Sequence, residues 1–170
     1  MKRNSGQLLL ESLVAITMII IAITGIFTLL SRSLSLTRVA SDQYTGTYLA
    51  AEGVELIKNK LDTNVIVDCQ PFNAGISSGV VELNYDGSPV TEPRDNGYTK
   101  IYIDENGFYV HNYSETAKPT KFLRRIEISD QGDKVEVDSK VKWKGRDGVN
   151  YESHISDTFY GWRGLNASCL

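Results

Sequence analysis

A single carboxylate stands where apolar residues otherwise rule. In SGQLLLESLVAITMIIIAITGIFTLL, Glu11 is the only charged residue between Gly6 and Leu30. An ionised side chain at the centre of a membrane helix costs roughly 2.5–3.5 kcal/mol on insertion scales. A carboxylate in that setting calls for a partner. Elsewhere the residues with chemical potential are sparse. His111 and His154 fall in strand-like patterns, with no serine or cysteine nucleophile signature beside them, and there is no glycine-rich phosphate loop. No enzyme site is expected. Cys69 and Cys169 belong to no CxxC pair, and with two histidines they offer too few ligands for a zinc site. In an exported chain two separated cysteines suggest one disulfide, with two free thiols as the alternative.

Two acidic stretches, DENG at Asp104 to Gly107 and DQGD at Asp130 to Asp133, invite a reading as calcium loops. Neither has EF-hand spacing, and both suit hairpin turns. No metal or other cofactor is expected from them. Lys118, Lys121, Arg124 and Arg125 share one strand-like stretch, and Lys140, Lys142, Lys144 and Arg146 share the next. Paired, they would make a basic face with Tyr113 and Tyr160 nearby. Glu127, Glu136 and Asp138 interleave with them, which favours a solvated sheet face over a nucleic-acid surface. The net charge of −3 also argues against a dedicated nucleic-acid binder.

The elements that carry these residues are of two kinds. The chain has 170 residues, 41% of them apolar, enough for one modest domain and an accessory segment. Lys2 and Arg3 precede the apolar run, and the next basic residue is Arg32. Leu13 to Leu30 is uncharged and long enough to cross a bilayer. Its positive flank places the N-terminus in the cytoplasm and the rest outside. A secretory signal would need a small-x-small cleavage site, which Ser31-Arg32-Ser33 supplies poorly. Neither that reading nor a plain anchor accounts for Glu11 or for the polar Gly6-Gln7 step.

Beyond Leu30 the pattern turns amphipathic without a break, and no proline occurs before Pro71. Ala50, Val54, Ile57 and Leu61 recur at i, i+4, i+7 and i+11 on one helix face. One helix is predicted from Gln7 to Leu61, stopping at Asp62-Thr63-Asn64 after Lys58 and Lys60. At 1.5 Å per residue it would be roughly 80 Å long. A following domain could not cover it all, so its first half would project. Gly46, Ala50 and Gly53 fall on nearly one face and predict a flat strip where a sheet approaches the backbone. From Val65 onward the signals are β. Val80 to Asp86 reads as a strand ending in the turn DGSP. Asn106-Gly107 between alternating runs predicts a hairpin. A second hairpin turns at Asp130 to Asp133, and a third turn at Arg146 to Gly148 leads into a strand from Val149 to Trp162. Val135, Val137, Val141 and Trp143 share one parity and should face a core. Lys134, Glu136, Asp138, Lys140, Lys142 and Lys144 share the other.

KRNSGQLLLESLVAITMIII resembles the leader of type IV prepilins, the class of type IV pilins and type II secretion pseudopilins. The match is specific over residues 2 to 32. RRIEIS and KVKWKGRDG resemble C-terminal strands of minor pilins and minor pseudopilins more loosely. The resemblance implies cleavage by prepilin peptidase between Gly6 and Gln7, N-methylation of the new terminus, and a mature chain with glutamate at its fifth position. Gln7 departs from the family's usual phenylalanine or methionine, which bears on methylation. Cleavage would create an α-ammonium on Gln7, ordinarily of pKa about 8. Glu11 lies one turn along on the same helix face and can pair with it, in its own chain or a neighbour's. The implied fold is α+β: a long N-terminal helix packed on a C-terminal antiparallel sheet of four to six strands. The implied organisation is a leader over 1–6, a membrane and assembly segment over 7–30, an amphipathic half-helix over 31–62 and an extracytoplasmic sheet domain over 63–170. The implied function is that of a structural subunit, minor rather than major, which initiates or caps a pilus or pilus-like secretion filament. Its partners would be other pilin or pseudopilin subunits, prepilin peptidase, an inner-membrane assembly platform and the lipid bilayer. Its place would be the bacterial cytoplasmic membrane and then a filament. Some pseudopilins hold calcium in a C-terminal loop, the one cofactor the resemblance allows. The competing reading is a membrane-anchored extracytoplasmic domain that binds DNA or a surface ligand without polymerising.

Overall fold

The computed structural model describes residues 5–90, 97–111 and 115–162. One helix, α1 (Ser5–Ile66), precedes six strands: β1 (Gly79–Val81), β2 (Thr99–Ile103), β3 (Tyr109–Val110), β4 (Lys118–Asp130), β5 (Lys134–Lys144) and β6 (Asn150–Tyr160). Every pairing among these strands is antiparallel. The sheet order is β3-β2-β4-β5-β6, and β1 also pairs with β4. The fold is therefore α+β, a long N-terminal helix packed on a six-stranded antiparallel sheet. The chain divides into two compact units, Met1–Asp42 and Gln43–Leu170. The boundary falls beyond Leu30, where the apolar run ends.

In the second unit the helix row Leu49, Ala50, Val54, Ile57, Leu61 and Val65 is buried. Val54, Ile57 and Leu61 meet Ile126, Ile128, Val135 and Val137. Leu49 and Ala50 meet Ile101, Phe122, Val141 and Trp143. The small residues permit this approach. A Cβ at Gly46 would stand 2.5 Å from Cζ3 of Trp143, and one at Gly53 would collide with Ser139 Oγ and lie 3.1 Å from Ile126 Cδ1. Ala50 is 0% exposed, so the strip is filled to contact. β5 alternates as its sequence predicts, with Val135, Val137, Val141 and Trp143 inward.

The helix runs through Asp62-Thr63-Asn64 instead of stopping there. Val65 extends the buried row by one more turn. Asn64, fully buried, turns its Nδ2 to the carbonyls of Phe72 (3.1 Å) and Ala74 (2.7 Å), fastening the exit loop. Cys69 follows with φ +52°, a left-handed conformation common just past helix ends. The strand expected over Val80 to Asp86 is shorter. Only Gly79–Val81 pairs with β4, followed by a lone bridge between Leu83 and Pro89 around Gly87 (φ +79°). Three sharp turns make the hairpins. In the first, Asp104 Oδ1 accepts from the N–H groups of Asn106 (2.9 Å) and Phe108 (2.8 Å). In the second, Asp130 Oδ1 accepts from Gly132 N–H (2.9 Å). These carboxylates thus close the turns at both stretches weighed as calcium loops.

Candidate assembly segment and buried polar cluster

In the first unit, Gly6 and Gln7 lie on α1, and Glu11 is one turn further along. All three are exposed. The large apolar side chains from Leu8 to Leu30 are 41–72% exposed, so nothing among the described residues covers them. The helix is long and apolar enough to cross a membrane. Its hydroxyls are satisfied internally. Ser12 donates to Leu9 O (3.0 Å), Thr17 to Val14 O (2.8 Å), Thr24 to Ile20 O (2.7 Å) and Thr28 to Thr24 O (2.9 Å). Such back-bonding removes polar groups that hydrocarbon could not satisfy. Glu11 is left as the one ionisable group of the segment.

In the second unit the sheet holds a buried polar cluster that the sequence reading did not find. Arg124, expected on an outer basic face, is 1% exposed and points into the core. The reason is parity. Phe122, Arg124, Ile126 and Ile128 alternate along β4, and all four are buried. The guanidinium is fully employed. Nε donates to Glu82 Oε1 (2.8 Å), Nη1 to Leu49 O (3.2 Å) and Nη2 to Leu83 O (2.9 Å). Nη2 also lies 2.8 Å from Glu82 Oε1, and Glu52 Oε1 stands 3.5 Å from Nη1. The cluster thereby ties α1, the β1 segment and β4 together.

His111 completes it. Its Nε2 is 2.9 Å from Arg124 Nη2 and its Nδ1 is 3.2 Å from Lys100 O. Nε2 also stands 3.2 Å from Glu82 Oε1. The His111 N–H donates to Asn84 Oδ1 (3.1 Å), drawing the turn after β1 toward β3. Burial pushes the Glu82 carboxyl up. Its contacts with His111 and Arg124 outweigh burial and hold it below the usual glutamate range. Glu82 and His111 lie 42 and 13 residues from Arg124, so no local spacing announces the cluster. Only the parity of β4 signalled it.

The outer face is a mixed, solvated one. Arg125 pairs with Glu127 (2.9 Å), Lys134 with Glu136 (2.7 Å) and His154 with Asp138 (2.6 Å). The His154 contact is the main reason the Asp138 carboxyl is lowered. Lys142 sits 3.8 Å over the Tyr98 ring and is paired in register with Glu152, and Lys140 is in register with His154. Lys144 is exposed opposite Asn150. Without Arg124 the expected basic patch reduces to Arg125, Lys140, Lys142 and Lys144 among acidic neighbours. Cys169 and Tyr113 lie outside the described residues, and so does the expected Cys69–Cys169 pairing. Among the described residues no group of three or more His, Cys, Asp or Glu side chains could hold a metal ion. No family model, curated protein or solved structure matches the chain.

Proposed function

We propose that this chain is a processed, helix-anchored subunit of a type IV pilus or pilus-like secretion filament, acting as a minor, initiating or capping member. One observation carries the reading. An apolar helical segment that nothing among the described residues covers holds a single carboxylate, Glu11, five residues after Gly6. A solitary carboxylate on a lipid-exposed helix is costly, and an amine at Gln7 created by cleavage would lie within one turn of it. The sheet domain then stands outside the membrane and presents its solvated face, while the helix joins those of neighbouring subunits.

The reading predicts how Glu11→Leu behaves in cells that carry a pilus assembly machine. Membrane insertion and folding of the sheet domain should survive, since Glu11 belongs to a separate unit. Entry into filaments should fail, because the Gln7 ammonium loses its carboxylate. The readout is the ratio of chain in sheared filaments to chain in membranes, with cleavage checked separately. A cleaved variant that enters filaments at the wild-type ratio would remove Glu11 from the account. Wild-type chain that never leaves the membrane pool would favour the anchored binding domain.

A further inference from the structure

β6 ends the sheet order and pairs on one side only, with β5. The pairing runs unbroken from Lys144 opposite Asn150 to Lys134 opposite Tyr160. Its phase is fixed at both ends. Gly145 N–H donates to Val149 O (2.8 Å), and Gly161 N–H donates to Asp133 O (2.9 Å). In an antiparallel ladder, residue pairs that exchange backbone bonds alternate with pairs that do not. Tyr151, Ser153, Ile155, Asp157 and Phe159 therefore turn their backbone groups to β5, and the residues between them turn theirs outward. At Thr158 the outward N–H is closed off by the Asp157 carboxylate (2.8 Å). The N–H and C=O groups of Glu152, His154 and Ser156 have no hydrogen-bond partner among the described residues. All three residues are exposed.

Native sheets blunt their edges with short strands, lysines, prolines or bulges. Elsewhere in this sheet β3 has two residues and β1 three. β6 has eleven, with no lysine, no proline and no register shift against β5. The side chains beside its open stretch define what would fit there. On the face toward α1, Tyr151 and Ile155 are half-buried, and Ser153 Oγ meets Thr47 Oγ1 at 3.1 Å. An added strand would lay apolar side chains against the first two. On the other face stand Glu152 and His154, the latter held by Asp138 at 2.6 Å. Glu152 and Asp157 are the acidic residues of β6, and it has no lysine or arginine to offset them. Lys140 and Lys142 belong to β5, about 10 Å from an added strand, whereas Glu152 would be about 5 Å from it. Lys142 also sits over the Tyr98 ring. Basic side chains in the occupant therefore suit this edge. A second copy suits it poorly, because its β6 brings the same carboxylates and its β1 and β3 are too short to cover the stretch.

We propose that the open edge of β6 takes up an extended segment of another protein as an added antiparallel strand, apolar on the face toward α1 and basic on the other. Backbone bonds to Glu152, His154 and Ser156 supply affinity, and the alternating side chains supply selectivity, as in other strand-addition complexes. The proposal rests on the sheet alone and holds whether or not the chain enters a filament.

The test uses the full chain in lipid nanodiscs and the peptide acetyl-KVTVKVT-amide, with amide hydrogen exchange read residue by residue. In the chain alone the amides of Glu152, His154 and Ser156 should exchange fast, and those of Ser153 and Ile155 slowly. Peptide should slow the first set saturably, by about tenfold or more, and leave the second unchanged. N-methylation of the peptide's lysines and threonines removes the N–H groups that face β6 and should weaken binding about tenfold or more. N-methylation of its valines, whose N–H groups face away, should change binding little. Glutamate in place of both lysines should weaken it about threefold, the scale of exposed charge pairs. Ser156→Pro removes an outward N–H and no ladder bond, so the chain should fold and lose the peptide. If that variant does not fold, the two methylated peptides decide. The proposal is overturned if the peptide protects nothing, if the two methylated peptides bind alike, or if the glutamate peptide binds as tightly as the parent. It is also overturned if the outward amides are already slow in the chain alone. Slowing that is independent of concentration would mean the chain covers its own edge, and slowing that rises with concentration would make a second copy the occupant.

Discussion

Replacing Arg124 with methionine should cost a large part of the stability of the sheet domain. Methionine keeps much of the side-chain volume, so packing changes little. What changes is charge. Glu82, 2% exposed, loses the guanidinium that bonds its Oε1, and the carbonyls of Leu49 and Leu83 lose their donor. Removing one member of a buried ion pair typically costs about 3–5 kcal/mol. Domains of this size have a total stability of about 5–15 kcal/mol. The assay is urea unfolding of the full chain in detergent, followed by tryptophan fluorescence. Trp143 is buried and Trp162 is 77% exposed, so the change in signal reports the core. The double variant Arg124→Met/Glu82→Leu removes the stranded carboxylate and should recover at least about 1 kcal/mol relative to Arg124→Met alone. A loss below about 1 kcal/mol for the single variant, or a double variant that loses the full sum of its parts, would refute this account of the cluster.

The lowered Glu82 carboxyl predicts acid sensitivity. The folded state binds this proton more weakly than the unfolded state, so the stability Glu82 contributes is fully present above its ordinary value of 4.5. It is lost as pH falls toward the folded-state value, and Glu82→Gln should flatten stability against pH in that window. Gly46→Ala and Gly53→Ala should each cost about 1–3 kcal/mol by forcing the helix off Trp143 or Ser139, as measured by the same unfolding assay. Gly25→Ala meets nothing within 4 Å and should cost nothing, or gain up to about 1 kcal/mol of helix propensity. A Cys69–Cys169 bond would close a loop of about 100 residues, for which chain entropy suggests about 4–5 kcal/mol; two alkylatable thiols in the unfolded, unreduced chain would refute the pairing.

What the sequence disclosed follows the range of the signals involved. The helix row Ala50, Val54, Ile57 and Leu61 and the alternation of β5 are local periodicities, and both stand in the structure as read. The strip of Gly46, Ala50 and Gly53 was legible because a helix has few reasons to carry glycine other than close approach. The hairpin turns were legible from Asn106-Gly107 and from Asp130 to Asp133. Arg124 was misread because its charge was weighed above its parity with Phe122 and Ile126. Its partners are brought to it by pairings between strands far apart in the chain, which no spacing encodes. The helix outran its expected stop because Asn64, a residue that often ends helices, here fastens the exit loop to the core.

The processed mass of the chain tests the filament-subunit reading most directly. Full-length protein made together with a prepilin peptidase should lose residues 1 to 6 and begin at Gln7, and the same protein made without the peptidase should keep them. An intact leader in the presence of an active peptidase, or a cut near Ser33, would contradict the reading and leave Glu11 without the amine that explains its place in an apolar helix.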